Sequence, residues 1–123
     1  MIHVKHFMDA CAREDGPRLW VEPIGLTRDL VEWCGVDLLL REFAPPRILW
    51  EWFDERPGQG RYQVFRRGYR AYLLQGPHRT SLADMAHLAL EGDLTLLHQG
   101  KDGTYNTATA LREVMEELSV CPS

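Results

Sequence analysis

A polar loop near the carboxyl end of the sequence holds the residues best suited to bind a ligand. It follows an apolar run at residues 94–97, and after it apolar residues recur at helical spacing. This pattern predicts a buried strand, a loop and a helix whose first N–H groups lack partners within the helix and favour an anion. The candidate ligand-binding residues of the loop are Lys101, Asp102, Tyr105, Asn106 and Thr107.

The loop has two interpretations. In the first, Lys101 supplies charge and Asn106 supplies hydrogen bonds, so the loop forms one wall of a polar pocket at the carboxyl edge of a sheet and binds a small anion or nucleotide weakly. Asp102 opposes this, because its carboxylate repels an anion unless it bonds backbone or sugar hydroxyls. In the second, Asn106 or Thr107 only caps the helix and the other polar residues are solvated, as is common in short loops. Neither interpretation decides whether the chain is an enzyme.

A basic segment is the second candidate region. Six arginines and no acidic residue lie between Arg56 and Arg79, although the whole chain has a formal net charge of −4. Aromatic residues recur there at helical intervals, which predicts a core-facing seam with arginines on the other sides of the same helix. We favour a solvated arginine face, and the alternative is contact with a nucleic-acid backbone. The arginines concerned are Arg61, Arg66, Arg67 and Arg70.

The composition fits one globular domain. With 123 residues, 45% of them hydrophobic, the chain has enough apolar material for one core. The first residues lack the apolar run of a signal peptide and no stretch is long enough for a membrane span, so we expect a cytoplasmic protein without membrane contact. Cys11, Cys34 and Cys121 are odd in number and lack zinc or redox spacing, which predicts free thiols and no metal. The common nucleotide-binding and hydrolase motifs are absent, so no cofactor is implied.

The order of predicted elements indicates a small single α/β domain with a mostly parallel sheet of three to four strands flanked by helices. Strands are expected near residues 2–7, 19–21 and 94–97, and a further strand is favoured over a helix at 36–43. Helices are expected after Thr27, after Pro46, around 61–72, from a cap at Thr80 or Ser81, and from about Asn106.

The core is expected to be contiguous, with the strand that contains Leu96 at the centre of the sheet. The side chains predicted to be largely buried are Phe65, Tyr69, Leu96, Leu97 and Leu111.

Landmarks along the whole chain resemble one known family. They are Ile2-His-Val-Lys5, Glu14-Asp-Gly16, Asp37 with Arg41 and Ala44-Pro45, Trp52-Phe53, Phe65-Arg66 with Tyr69, and Leu94-Thr-Leu-Leu97 with Lys101-Asp102 and Asn106. In this order they resemble the YeaO-like proteins, the short branch of the domain-of-unknown-function-488 family. The resemblance covers residues 2–118 as one domain and leaves 119–123 as a frayed C-terminal tail. It implies a small cytosolic α/β protein whose biochemical role is not established.

The sequence departs from that family in two places. After the second strand the family has an arginine-containing segment, whereas residues 22–25 are short and contain no arginine. In the last loop the family has two histidines, whose places are taken here by Tyr105 and Thr107. Because histidine is the side chain that titrates near neutral pH, these departures favour a divergent or non-catalytic member.

A third interpretation is a non-enzymatic interaction or oligomerisation domain. Four tryptophans are numerous for this length, and an exposed apolar patch would mark an interface. These residues are Trp20, Trp33, Trp50 and Trp52.

Overall fold

A computed structural model describes residues 1–120, which form four strands and five helices. The strands are β1 (Ile2–His6), β2 (Arg18–Trp20), β3 (Leu38–Leu39) and β4 (Leu94–His98). The helices are α1 (Arg28–Cys34), α2 (Arg47–Glu55), α3 (Gln59–Leu73), α4 (Gly76–Leu88) and α5 (Thr107–Ser119). None of the helices in this part of the chain is long and apolar enough to cross a membrane.

The strands form one parallel sheet in the order β1-β4-β2-β3. Leu96 of β4 pairs with Val4 of β1 on one side and with Leu19 of β2 on the other. The predicted α/β fold and the central position of the strand containing Leu96 are therefore confirmed. Because all strands run in one direction, their carboxyl ends meet at one edge of the sheet, here called the carboxyl edge.

One face of the sheet packs against helices α2 to α5 and contains most of the core. Phe65, Tyr69, Leu96 and Leu111 are all 0% exposed on this side. Leu97 is also 0% exposed but belongs to a smaller cluster on the opposite face, because successive residues of a strand point to opposite sides. All five predicted core residues are therefore confirmed as buried. The prediction of one contiguous core is wrong, because Leu97 lies in a separate cluster on the other side of the sheet.

The opposite face is covered by α1 and by the β1–β2 loop (residues 7–17). Asp15 anchors this loop, because its carboxylate lies 2.8 Å from Lys5 Nζ and 2.7 Å from Arg18 Nη1. Thr95 of β4 also donates its hydroxyl to the Asp15 carbonyl, at 2.8 Å. Burial alone would raise the pKa of Asp15, but the hydrogen bonds from Lys5, Ala12 N–H and Arg18 outweigh it and lower the pKa to about 2.

The strand predicted at residues 36–43 is mostly wrong. Only Leu38–Leu39 pairs as a strand, and a 3₁₀ turn at Arg41–Phe43 follows it. The edge position explains this, since β3 has only the three-residue β2 to pair with. Pro45 and Pro46 then keep the following backbone from returning to the sheet.

The predicted cap at Thr80 or Ser81 is also wrong. Helix α4 begins at Gly76 with Gln75 as its N-cap, which places both hydroxyl residues inside the helix. Pro77 lies in the first turn, where a missing N–H costs nothing because those donors have no partner within the helix. At the other end of the chain, Ser119 belongs to α5, and residues 121–123 of the expected tail lie outside the described residues.

Candidate functional site

A buried carboxylate lies in the middle of the carboxyl edge. Glu22, two residues after β2, is 3% exposed, and Trp50 Nε1 and Thr107 Oγ1 donate to its Oε2 at 2.6 Å and 3.0 Å. Gln99 N–H donates to its Oε1 at 3.1 Å. Burial raises the pKa of Glu22, and these three hydrogen bonds oppose that rise. This one side chain therefore joins β2, α2, α5 and the β4–α5 loop.

The position of Glu22 bears on anion binding at the start of α5. Thr107 is the first residue of that helix, so the carboxylate lies beside the helix end that attracts negative charge. The Glu22 carboxyl group thus already occupies this position. A ligand at the same helix end would have to compete with Glu22.

The β4–α5 loop (residues 99–106) is held together by its own polar groups. Asp102 Oδ1 accepts hydrogen bonds from the N–H groups of Thr104 and Tyr105, at 2.8 Å and 2.9 Å. These bonds, that from Tyr105 first, lower the pKa of Asp102. Asn106 Nδ2 donates to the Asp102 carbonyl at 2.9 Å. The Asp102 carboxylate is therefore engaged in the turn.

Asn106 is the N-cap of α5, since its Oδ1 accepts from Thr109 N–H at 2.9 Å. Asn106 and Thr107 are both buried, and Tyr105 packs against Tyr62 with ring centroids 5.1 Å apart. Lys101 is exposed. Of the five predicted site residues, three therefore hold the loop and helix in place, one packs against α3, and only Lys101 is exposed.

A cavity of about 100 Å³ opens at the carboxyl edge on the side of β2 and β3. Trp20 forms part of its wall, and its buried Nε1–H has no hydrogen-bond partner among the described residues. Arg41 also lines the cavity, is exposed, and takes part in none of the ion pairs of residues 1–120. The full lining is Trp20, Glu22, Pro23, Ile24, Gly25, Leu26, Leu39 and Arg41, with no residue of the range 101–107.

The wall of this cavity formed by residues 22–26 is fixed by Gln99. Its Nε2 donates to the Ile24 carbonyl at 3.1 Å. Gly25 has a φ of +97°, and a Cβ there would lie 2.4 Å from Gln99 Oε1. The turn therefore needs glycine both for its backbone conformation and for room.

Two histidines meet at the ends of β1 and β4. His6 and His98 are register partners with ring centroids 5.5 Å apart. His98 Nδ1 lies 3.0 Å from the Gly100 carbonyl, so this nitrogen carries the proton and donates. Burial, followed by the neighbouring His6, lowers the pKa of His98, which favours its neutral form. Residues 1–120 contain no group of three or more His, Cys, Asp or Glu side chains arranged to hold a metal ion.

The arginine face of α3 is largely neutralised by α5. Arg66 pairs with Glu113, and Arg70 Nε donates to Glu117 at 3.0 Å. Arg61 lies over the Trp52 ring, 4.6 Å from its centroid, and donates to the Trp52 carbonyl. Arg67 is exposed. The four arginines therefore do not form a continuous free basic stripe.

One comparison with known proteins identifies the family. A family model described as the inactive DUF488-N3 subclade matches residues 1–120. The chain belongs to this subclade. The match confirms the resemblance to the domain-of-unknown-function-488 family. No curated protein and no solved structure matches the chain.

The sequence did not predict the residues that line the cavity. Glu22 could have been predicted as a site residue, because a single acidic residue directly after a predicted buried strand falls at the edge where ligands bind in α/β sheets. Trp20 and Arg41 could not be predicted as neighbours, since they are far apart in sequence and line one cavity only because β3 pairs with β2.

Proposed function

We propose that this chain is a non-catalytic binding protein that holds a small oxyanion in the cavity beside Trp20. The supporting observation is the buried Trp20 Nε1–H, which has no acceptor among residues 1–120. Buried donors are nearly always paired, and an unpaired one costs about 1–3 kcal/mol. A ligand oxygen that accepts from this N–H would remove that cost, and a bound water is the alternative acceptor.

Arg41 gives the cavity its preference for negative charge. It is the only Lys or Arg among the lining residues, and guanidinium groups bind oxyanions with two parallel hydrogen bonds. A volume of about 100 Å³ restricts the ligand to a few heavy atoms, such as a carboxylate, nitrate or phosphate group. Glu22 in the same lining disfavours ligands of high charge, so we expect a monoanion to bind best.

The absence of catalysis is supported by how the candidate acid and base groups are engaged. The Glu22 carboxylate accepts three hydrogen bonds, and His98 Nδ1 donates to a backbone carbonyl. Tyr105 and Thr107 stand where relatives resembling this chain have histidines. The description of the matching subclade as inactive agrees with this interpretation.

The site residues predicted from the β4–α5 loop take different roles in this proposal. Asp102, Asn106 and Thr107 position the loop, Glu22 and α5, while Tyr105 supports the loop from α3. Lys101 contributes an exposed charge at the same edge of the sheet, which raises the local concentration of anions. Loss of Lys101 should therefore weaken anion binding less than loss of Arg41.

Thermal unfolding with small anions tests the proposal. Formate, acetate, nitrate and phosphate are titrated against chloride at equal ionic strength, and specific binding raises the Tm in a saturable way. We expect Arg41→Gln to lower the affinity at least about tenfold, the loss of one charge-assisted bond. Arg67→Gln is the control, because Arg67 is also an exposed arginine but lies on α3, and this variant should behave like the unsubstituted protein. Equal responses of all three proteins, or no response beyond chloride, would contradict the proposal.

A second candidate, self-association, is favoured by one observation. Trp33 on α1 is 84% exposed, and Leu38 at the edge of the sheet is 52% exposed. Exposed tryptophan is typical of interfaces. Sedimentation of the unsubstituted protein, Trp33→Ser and the control Ile48→Ser tests this, because Ile48 on α2 is equally exposed at 85%. A concentration-dependent dimer that only Trp33→Ser abolishes would support it, and a monomer in all three would overturn it.

A further inference from the structure

We infer that Cys11 and Cys34 form a redox-dependent crosslink between the β1–β2 loop and helix α1. Both are free thiols among the described residues. Cys11 Sγ lies 3.8 Å from the Cys34 carbonyl oxygen, at the last residue of α1. The two cysteines are 23 positions apart in sequence and are brought together by the packing of the loop over the second face of the sheet.

The space around the two thiols suits a bridge. Both line one cavity of about 190 Å³, together with Phe7, Met8 and Trp33. Gly35 follows Cys34 with a φ of +64°, and a Cβ there would lie 2.6 Å from Cys11 Sγ. The absence of that Cβ lets the Cys11 sulfur lie against the end of α1. The inferred bridge requires the two side chains to rotate towards each other within this cavity, because disulfide geometry is specific.

The two thiols differ in solvent exposure, and this difference sets the order in which they react with an oxidant. Cys11 is exposed and Cys34 is 6% exposed, so an oxidant in solution reaches Cys11 first. With hydrogen peroxide, the Cys11 thiolate attacks one oxygen, an S–O bond forms, the O–O bond breaks and hydroxide leaves. The Cys34 thiolate then attacks the Cys11 sulfenic sulfur, so that an S–S bond forms and the S–O bond breaks. Overall, two thiols and one peroxide give one disulfide and two waters.

The crosslink would restrain the face of the sheet that has the least helical cover. It closes a loop that contains β2 and α1, and Cys34 packs in the same cluster as Trp20. Closing a loop of this length reduces the freedom of the unfolded chain. We expect the oxidised protein to unfold at a Tm roughly 5–10 °C higher than the reduced protein.

Mass spectrometry and thermal unfolding after limited hydrogen peroxide treatment test this inference. The test uses a variant with Cys121→Ser, because Cys121 lies outside the described residues. The expected product is a monomer lighter by two hydrogens, with Cys11 and Cys34 in one crosslinked peptide and a raised Tm that dithiothreitol reverses. The control Cys11→Ser in the same background should show neither the bridge nor the Tm rise.

Other products would overturn the inference. These are a Cys11 sulfinic acid with Cys34 still reduced, a disulfide between two molecules, or an intramolecular bridge without a change in Tm. Peptide mapping of the unsubstituted protein provides a check that does not depend on a variant's folding. In that protein a bridge to Cys121 instead of Cys34 would also contradict the inference.

Discussion

At the residue scale, the carboxyl edge depends on Glu22. Its removal would leave three donors without an acceptor: Trp50 Nε1, Gln99 N–H and Thr107 Oγ1. We expect Glu22→Ala to lower the free energy of unfolding by on the order of 3 kcal/mol, because unpaired buried groups keep their full desolvation cost. Glu22→Gln should lower it less, since the amide retains one acceptor oxygen.

Urea unfolding measures these changes, and Glu51→Ala is the control. Glu51 is an exposed partner of Arg47 on α2, so its removal should change the free energy of unfolding by less than about 1 kcal/mol. A loss for Glu22→Ala no larger than for Glu51→Ala would show that Glu22 does not join these elements.

The ion pairs of the buried Asp15 carboxylate make the free energy of unfolding depend on pH in the acid range. Its pKa is lowered from 3.8 to about 2 in the folded protein, so folding favours the ionised form. The resulting stabilisation is fully present above pH 3.8 and is lost as the pH falls from about 4 towards 2. We therefore expect the free energy of unfolding to decline as the pH falls through that window. The decline should be smaller for Asp15→Asn.

The measurement is a series of urea titrations between pH 2 and pH 7 on both proteins. Asp15→Asn should also be less stable at pH 7, because it leaves Lys5 and Arg18 without their carboxylate. Identical pH profiles for the two proteins would contradict the role of Asp15.

At the element scale, the start of α5 depends on Asn106. We expect Asn106→Ala to cost about 1 kcal/mol of stability through the loss of the N-cap. Asn106→Ser should cost less, because a serine hydroxyl can still accept from Thr109 N–H, whereas both variants lose the bond from Asn106 Nδ2 to the Asp102 carbonyl. Thr104→Ala serves as the control, since Thr104 is exposed in the same loop. Chemical denaturation reports the differences, and equal costs for alanine and serine would argue against capping.

The sequence correctly predicted the elements whose pattern of apolar residues matches the faces that are buried in the folded protein. Residues 94–97 and the following helical period correspond to β4 and α5, since a strand buried on both faces needs a continuous apolar run. Residues 36–43 and the start of α4 were mispredicted for different reasons. The length of β3 is set by its short neighbour β2. Helix α4 starts before Pro77, because the first turn of a helix tolerates a proline.

At the scale of the whole molecule, the sheet separates a large core from a smaller one, and Leu97 belongs to the smaller. We expect Leu97→Ala to cost on the order of 2–5 kcal/mol, the usual cost of emptying a fully buried site. Leu88→Ala on α4 is a control, because Leu88 is 69% exposed. Urea unfolding measures the free energy of unfolding of both variants. A loss near zero for Leu97→Ala would show that the sheet face covered by α1 is loosely packed.

The candidate site was predicted only in part, for a reason that lies in the topology. The sequence indicated the carboxyl edge and the loop that contains Asn106, because both follow from a strand passing into a helix. It did not indicate the cavity between Trp20 and Arg41, since that cavity exists only because β3 lies beside β2. Nor did it indicate that Glu22 would lie against the start of α5.

We propose that the Trp20 indole N–H, which has no acceptor within the part of the chain that the structure describes, gains one when a small oxyanion binds. The most direct test is to follow the indole ¹H–¹⁵N resonances of the four tryptophans during an acetate or nitrate titration, with Trp20 assigned from Trp20→Phe. We predict a saturable downfield shift of the Trp20 signal that Arg41→Gln abolishes, while the signal of Trp33, 84% exposed, follows only the ionic strength. A Trp20 signal that moves no more than that of Trp33 would contradict the claim.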